Sequence, residues 1–192
     1  MNNDTSNVVI SGGTTTQQSI ISSAHATAIS YLQTAIDAVG TSGTTLTQWF
    51  GDNSSSAQSQ VSTVLTQTLS GLQNNSFVYN LTDDLTYSLA FLEVVLIFNA
   101  PDSTTDASST EVDVALWDQF WPMQALNADN ASSSLVFSLL HQACLWFNIS
   151  SIDELDGTQS QDLAQQFASA NPTNALLSVR NHVYYVLAAS NS

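Results

Sequence analysis

The chain has 192 residues, 43% of them hydrophobic, and sets 16 Asp and Glu against a single Lys or Arg for a formal net charge of −15 at pH 7. That length fits one domain with a sizeable core. So negative a chain repels phosphate backbones and anionic lipid, which argues against nucleic acid and membrane surfaces as partners, and no apolar run reaches the length a membrane-spanning helix needs.

Only 9% of residues are charged, so solubility rests on Ser, Thr, Asn and Gln. Such a surface suits the outside of a cell, although compositional drift produces the same balance. Cys144 is the only cysteine. It permits no disulfide within the chain and, in an apolar segment, reads as a buried inert thiol. Asn-x-Ser/Thr sequons stand at Asn3, Asn53, Asn74, Asn80, Asn130 and Asn148. They fit a glycosylated secreted protein, but Ser and Thr are common enough here to produce several by chance. The N-terminus, Met1-Asn2-Asn3-Asp4, lacks the basic start and apolar centre of a leader; a secreted form is expected to have lost one.

Residues 1–16 are polar and rich in Thr and Gly, and read as a flexible arm ahead of a domain over 17–192. From Gln17 to Val39 the residues Ile21, Ala24, Ala28, Leu32, Ala35 and Val39 recur at helical spacing, with Gly40 as a stop. Leu46, Trp49 and Phe50 form a short apolar patch ending at Gly51. Val61, Leu65, Leu69 and Leu72 mark a second long helix. Phe77 to Tyr79 and Leu89 to Phe98 are rich in β-branched and aromatic residues, and Val112, Val114 and Leu116 alternate with Asp113 and Ala115 as in a half-buried strand. Pro101 to Thr110 reads as a loop. The segment 132–147 is apolar nearly all round and predicts a central, buried helix. Two further helices are expected over Gln159–Ala170 and Thr173–Ala189, the last burying Leu176, Val179, Val183 and Val186. The sum is an α+β domain, mainly helical, with a small sheet from residues within 76–121.

Five segments in order resemble the aspzincin family of zinc endopeptidases, the deuterolysin and peptidyl-lysine type found in fungi. Trp49-Phe50-Gly51 resembles the family's Trp/Tyr-Phe-Gly. Leu116 to Trp121 resembles its strand ending in an aromatic pair. Ser138-Leu139-Leu140-His141-Gln142 resembles its Thr-Leu-x-His-Glu, Asp153-Glu154-Leu155-Asp156-Gly157 its Asp-x-x-Tyr-Gly, and Arg180-Asn181-His182-Val183-Tyr184 its Asn-Ala-Asp-Ser-Tyr. The resemblance runs from about Ser19 to Ala189 and implies a zincin-like fold.

Residues four apart on a helix share a face, so a His-x-x-x-His pair can hold zinc while the Glu beside the first His deprotonates a metal-bound water. By this resemblance His141 keeps the first ligand and Asp153 the third. Gln142 replaces the base, and an amide takes no proton at neutral pH. Leu145 replaces the second His, Asp156 the Tyr that steadies the oxyanion, and His182 the Asp of the pocket beyond the cut. The family's cysteines are absent. The expectation is a pseudoenzyme without cofactor: secreted, monomeric, and acting by binding a protein or peptide. The alternative is a zinc site rearranged onto His141, Asp153 and His182, in a divergent endopeptidase or a metal-binding protein. Against it stands the reading of His141 and His182 as interior histidines satisfied by hydrogen bonds. His25 belongs to neither. Arg180, the only cation, is expected to pair with Asp153, Asp156 or another carboxylate.

Overall fold

The computed structural model describes residues 7–41, 43–81, 96–99, 111–116, 135–148 and 160–191. Among these the elements are β1 (Val8–Gly12), α1 (Thr15–Ala38), α2 (Gly43–Phe50), α3 (Ser55–Asn74), β2 (Ser76–Leu81), β3 (Leu96–Asn99), β4 (Glu111–Leu116), α4 (Leu135–Phe147), α5 (Gln161–Ala170), α6 (Pro172–Ala175) and α7 (Val179–Ser190). The architecture is α+β and mostly helical, as the spacing of apolar residues predicts.

Helix α1 opens on a reciprocal cap. The Gln17 N–H donates to Thr14 Oγ1 and the Thr14 N–H donates to Gln17 Oε1 at 2.7 Å, which satisfies two of the donors a helix start leaves open. The helix buries Ile21, Ala24, His25, Ala28, Leu32 and Ala35. It ends at Ala38, and Gly40 does not adopt the left-handed conformation of a glycine cap. Helix α3 buries Val61, Leu65, Leu69 and Leu72. Gly71 lets it approach α4, because a Cβ there would run into the Phe147 ring.

The sheet has the order β1-β2-β4-β3, with β1 and β4 parallel to β2 and β3 antiparallel to β4. Phe77 and Tyr79 of β2 and Val112 and Val114 of β4 point inward and are buried, the period-two pattern of a sheet with one covered face. Helix α4 packs on α1, α3, α7 and β3.

Three sequence expectations need correction. The expected arm over residues 1–16 contains strand β1, so the folded part does not begin at 17. Val8, Val9 and Ile10 are β-branched, and Asn7 anchors them. Its side-chain amide donates to Leu72 O at 3.0 Å and Asn75 O at 2.7 Å, while its carbonyl accepts from Phe77 N–H at 2.7 Å. The single helix expected over Thr173–Ala189 is two, because Ser178 leaves the helical conformation and its Oγ accepts from Asn181 N–H to cap a new start. Helix α4 is central but has an outer side, where Trp146 is 41% exposed. The most enclosed helix is α7, which buries Val179, Asn181, His182, Val183, Tyr184, Tyr185, Val186, Leu187 and Ala189. Leu89 to Val95, Pro101 to Thr110 and Phe120 to Pro122 lie outside the described residues.

Gly51 ends α2 with φ +67°, and a Cβ there would overlap the Ala168 carbonyl oxygen and press on Pro172. Gly51→Ala combines left-handed strain with overpacking and is expected to cost about 2–4 kcal/mol. Gly40→Ala, with open space around its Cβ, is expected to be neutral or slightly stabilising. Urea unfolding of the two variants beside the parent checks both.

Candidate functional site

Helix α4 fixes the register of the residues singled out for metal chemistry. His141 and Leu145 lie one turn apart and both are half-buried, as is Gln142 next to His141. The face that would present two imidazoles in a His-x-x-x-His pair therefore presents one imidazole and one branched alkyl group. Asp153 and Asp156 lie outside the described residues. Among the described residues no three His, Cys, Asp or Glu side chains group closely enough to hold a metal ion.

His141 leads into an aromatic wall. Its ring lies nearly parallel to that of Phe137, one turn earlier, with centroids 6.0 Å apart. Phe137 meets Tyr184 of α7 at 5.5 Å, and Tyr184 stacks on Trp49 of α2 at 5.4 Å. Arg180, one turn before Tyr184, is half-buried and hydrogen-bonds the Tyr184 hydroxyl. Burial raises the pKa of that hydroxyl above its usual 10, and the guanidinium offsets part of the rise. A phenol is thus one partner of the chain's single cation.

Asn181 aligns this wall. It is fully buried, and its Nδ2 donates to Trp49 O at 2.6 Å and Ala164 O at 3.1 Å. One amide thereby joins α7 to α2 and α5. On the next turn the Tyr185 hydroxyl donates to Ala35 O at 3.3 Å. Sequence reasoning passed over this pair. The signal was available: matched one residue later, the family's Asn-Ala-Asp-Ser-Tyr sets Asn181 on its Asn and Tyr185 on its Tyr.

His182 faces another way. It is fully buried, its Nδ1–H donates to Ser178 O at 2.8 Å, and its ring lies 4.9 Å from that of Phe50. It lines an interior cavity with Leu140 and Cys144, residues of α4 other than His141 and Leu145. His25 is interior as well. Tyr79 O–H donates to its Nδ1 at 2.7 Å, and its Nε2–H points to Leu72 O at 3.4 Å. This fixes α1 against β2 and the end of α3.

No family model and no curated protein sequence matches the chain. Among solved structures it is similar to a zinc peptidase from Grifola frondosa, with a TM-score of 0.64 and 21% identity, over 93% of this chain and 98% of that one. The chain has a zinc-peptidase fold. The likeness spans nearly the whole of both chains. Helix α4 carries His141, the residue that the resemblance read from the sequence sets at the first ligand position.

Both buried histidines carry a pH consequence. Desolvation lowers the pKa of His25 and of His182 from 6.5 to about 4, and a hydrogen bond to a backbone carbonyl opposes the shift in each. Below 6.5 the unfolded chain binds these protons and the folded chain does not. Stability is therefore full above about pH 6.5 and falls between 6.5 and about 4, by on the order of 3 kcal/mol per histidine. Urea midpoints from pH 7 down to 4 are expected to drop over that interval. His25→Gln and His182→Gln, each weaker at pH 7, should show a shallower drop.

Proposed function

We propose that this chain is a secreted, non-proteolytic relative of the aspzincin endopeptidases that has kept their framework and acts by binding a protein or peptide. The observation behind this reading is the composition of α4. In a chain that shares a zinc peptidase's fold, α4 carries His141 but has Gln142 where the resemblance calls for a base and Leu145 where it calls for a second imidazole. The residues present do not fit the zinc that the fold implies. A leucine has no donor atom for a metal, and an amide accepts no proton at neutral pH.

The alternative set of His141, Asp153 and His182 gains nothing from the placement of His182, which sits with Leu140 and Cys144 of α4 and not with His141.

Secretion and glycosylation belong to the same proposal. Asn53 and Asn74 are exposed and open to a glycan. Asn148 is not, because its Nδ2 is buried and donates to Thr68 Oγ1 and Cys144 O, each at 2.8 Å. A secreted, glycosylated form is expected to carry sugar at Asn53 or Asn74 and none at Asn148.

The chemistry is tested by rebuilding it. Zinc content and turnover of a general protein substrate are measured for the parent, Gln142→Glu, Leu145→His and the double variant. The parent and Gln142→Glu should show no turnover, since a base without bound metal has no water to activate. Leu145→His should gain zinc through its pair with His141. The double variant should cleave slowly, limited by Asp156 where the family has Tyr. A parent that cleaves as fast as the double variant would overturn the proposal.

A further inference from the structure

His25 sits where α1, the end of α3 and β2 meet, and it is fully buried. Its bonds settle its tautomer. The Leu72 carbonyl facing Nε2 can only accept, so Nε2 carries the proton and Nδ1 keeps the lone pair that takes the Tyr79 hydroxyl at 2.7 Å. Its ring meets that of Phe77 edge-on, with centroids 4.9 Å apart. A second proton, on Nδ1, would set two donors against each other. Tyr79 is also fully buried, and among the described residues its hydroxyl has no other acceptor. The imidazolium therefore needs water, and the packing around it must open to admit it. Strand β1 is the cover that opens at least cost. Among the described residues it pairs with β2 alone, at the edge of the sheet. Val8 and Ile10 stand beside Phe77 and Tyr79 on the covered face, yet no residue of β1 is fully buried and Val9 is 54% exposed. Segments that bury little apolar surface open first. Gly12 and Gly13, both at positive φ, join β1 to α1 and let the chain pivot there. Asn7, which anchors β1, donates to the same Leu72 carbonyl that His25 holds.

We infer that β1 is an acid-released strand: protonation of His25 frees Val8–Gly12 from the edge of β2 while the rest of the fold stays closed. Release leaves the Phe77–Tyr79 edge of β2 open to another extended segment. The ionisable groups around His25 are few. Strand β1 and helix α3 carry none, and β2 carries only Tyr79. On α1 itself, Tyr31 and Asp37 lie further along the helix. On α7, His182 holds Ser178 O, Tyr185 holds Ala35 O, and Arg180 holds Tyr184. On α4, His141 stacks on Phe137 and Cys144 lies beside Asn148. Burial is the main reason the His25 pKa falls from 6.5 to about 4, and the Leu72 carbonyl opposes the fall. Above pH 6.5 the closed and open states are both neutral, and β1 stays paired. Between 6.5 and about 4 only the open state takes the proton, so opening grows by about tenfold per pH unit. This opening is local, distinct from the loss of global stability that His25 and His182 share. It is separate from the His141 position and independent of the proposed loss of proteolysis.

The test is hydrogen–deuterium exchange of the full chain, read amide by amide by NMR from pH 7 down to 4.5 and corrected for the pH dependence of the exchange chemistry. Protection of the β1 amides, and of the β2 amides bonded to them, is expected to fall by about tenfold per pH unit below 6.5. Amides of α3 and α7, which open only with the whole fold, should stay better protected at every pH. His25→Gln should remove the pH dependence in β1, and His182→Gln should leave it in place. Should His25→Gln fail to fold, the ¹⁵N shifts of the His25 ring in the parent decide, since they must move to the imidazolium values as β1 loses protection. The inference is overturned by β1 protection that does not change with pH, by loss of protection in β1, α3 and α7 to the same extent, by a pH dependence that survives His25→Gln, or by an imidazolium at His25 with β1 still protected.

Discussion

One buried amide holds the working parts of this fold in alignment. Asn181 sits on the most enclosed helix and donates to the carbonyls of Trp49 and Ala164, on two helices distant in sequence. Because α2 ends at Phe50, the Trp49 carbonyl lies in its last turn and has no partner further along the same helix. Asn181 supplies that partner from outside. Gly51 then lets the chain leave α2 hard against the Ala168 carbonyl, where no side chain fits. Trp49 is thereby fixed under Tyr184, Tyr184 against Phe137, and Phe137 beside His141. Apolar and aromatic packing and this amide hold α4 in place.

On the proposed reading, this packing lets a zinc peptidase's fold stand without its chemistry. A catalytic metal ties its ligands together, but here the helices are joined by a core that runs through α1, α3, α4 and α7. Leu145 puts an apolar group on a half-buried face, where it packs against that core. Gln142 has a carboxylate's shape without its charge. Neither residue asks the framework to move. Fold likeness alone does not establish activity, and the proposal puts the difference at two adjacent turns of one helix.

Much of this was legible from residue spacing, and the gaps have physical causes. The period of apolar residues placed α1, α3 and α4, because each has one covered face and a clear rhythm. Strand β1 was missed because Val8, Val9 and Ile10 are too few to signal a strand locally. Their pairing is with Phe77, Val78 and Tyr79, far along the chain. The break before α7 was hidden because Leu176, Val179, Val183 and Val186 keep a helical rhythm across it. At the site, His141, Gln142 and Leu145 were placed correctly relative to one another by the helix period. His182 and Tyr184 point different ways, because residues two apart on a helix point roughly 200° apart. Tyr184 faces the aromatic wall, so His182 faces the core.

The central claim is that the His141 position no longer forms a zinc site. Crystals of the unmodified protein soaked in zinc at neutral pH, with anomalous difference maps at the zinc edge, test it most directly. The account predicts no anomalous peak within coordination distance of His141 Nε2 or Nδ1. A full-occupancy peak there, completed by Asp153 or any other side chain, would contradict it.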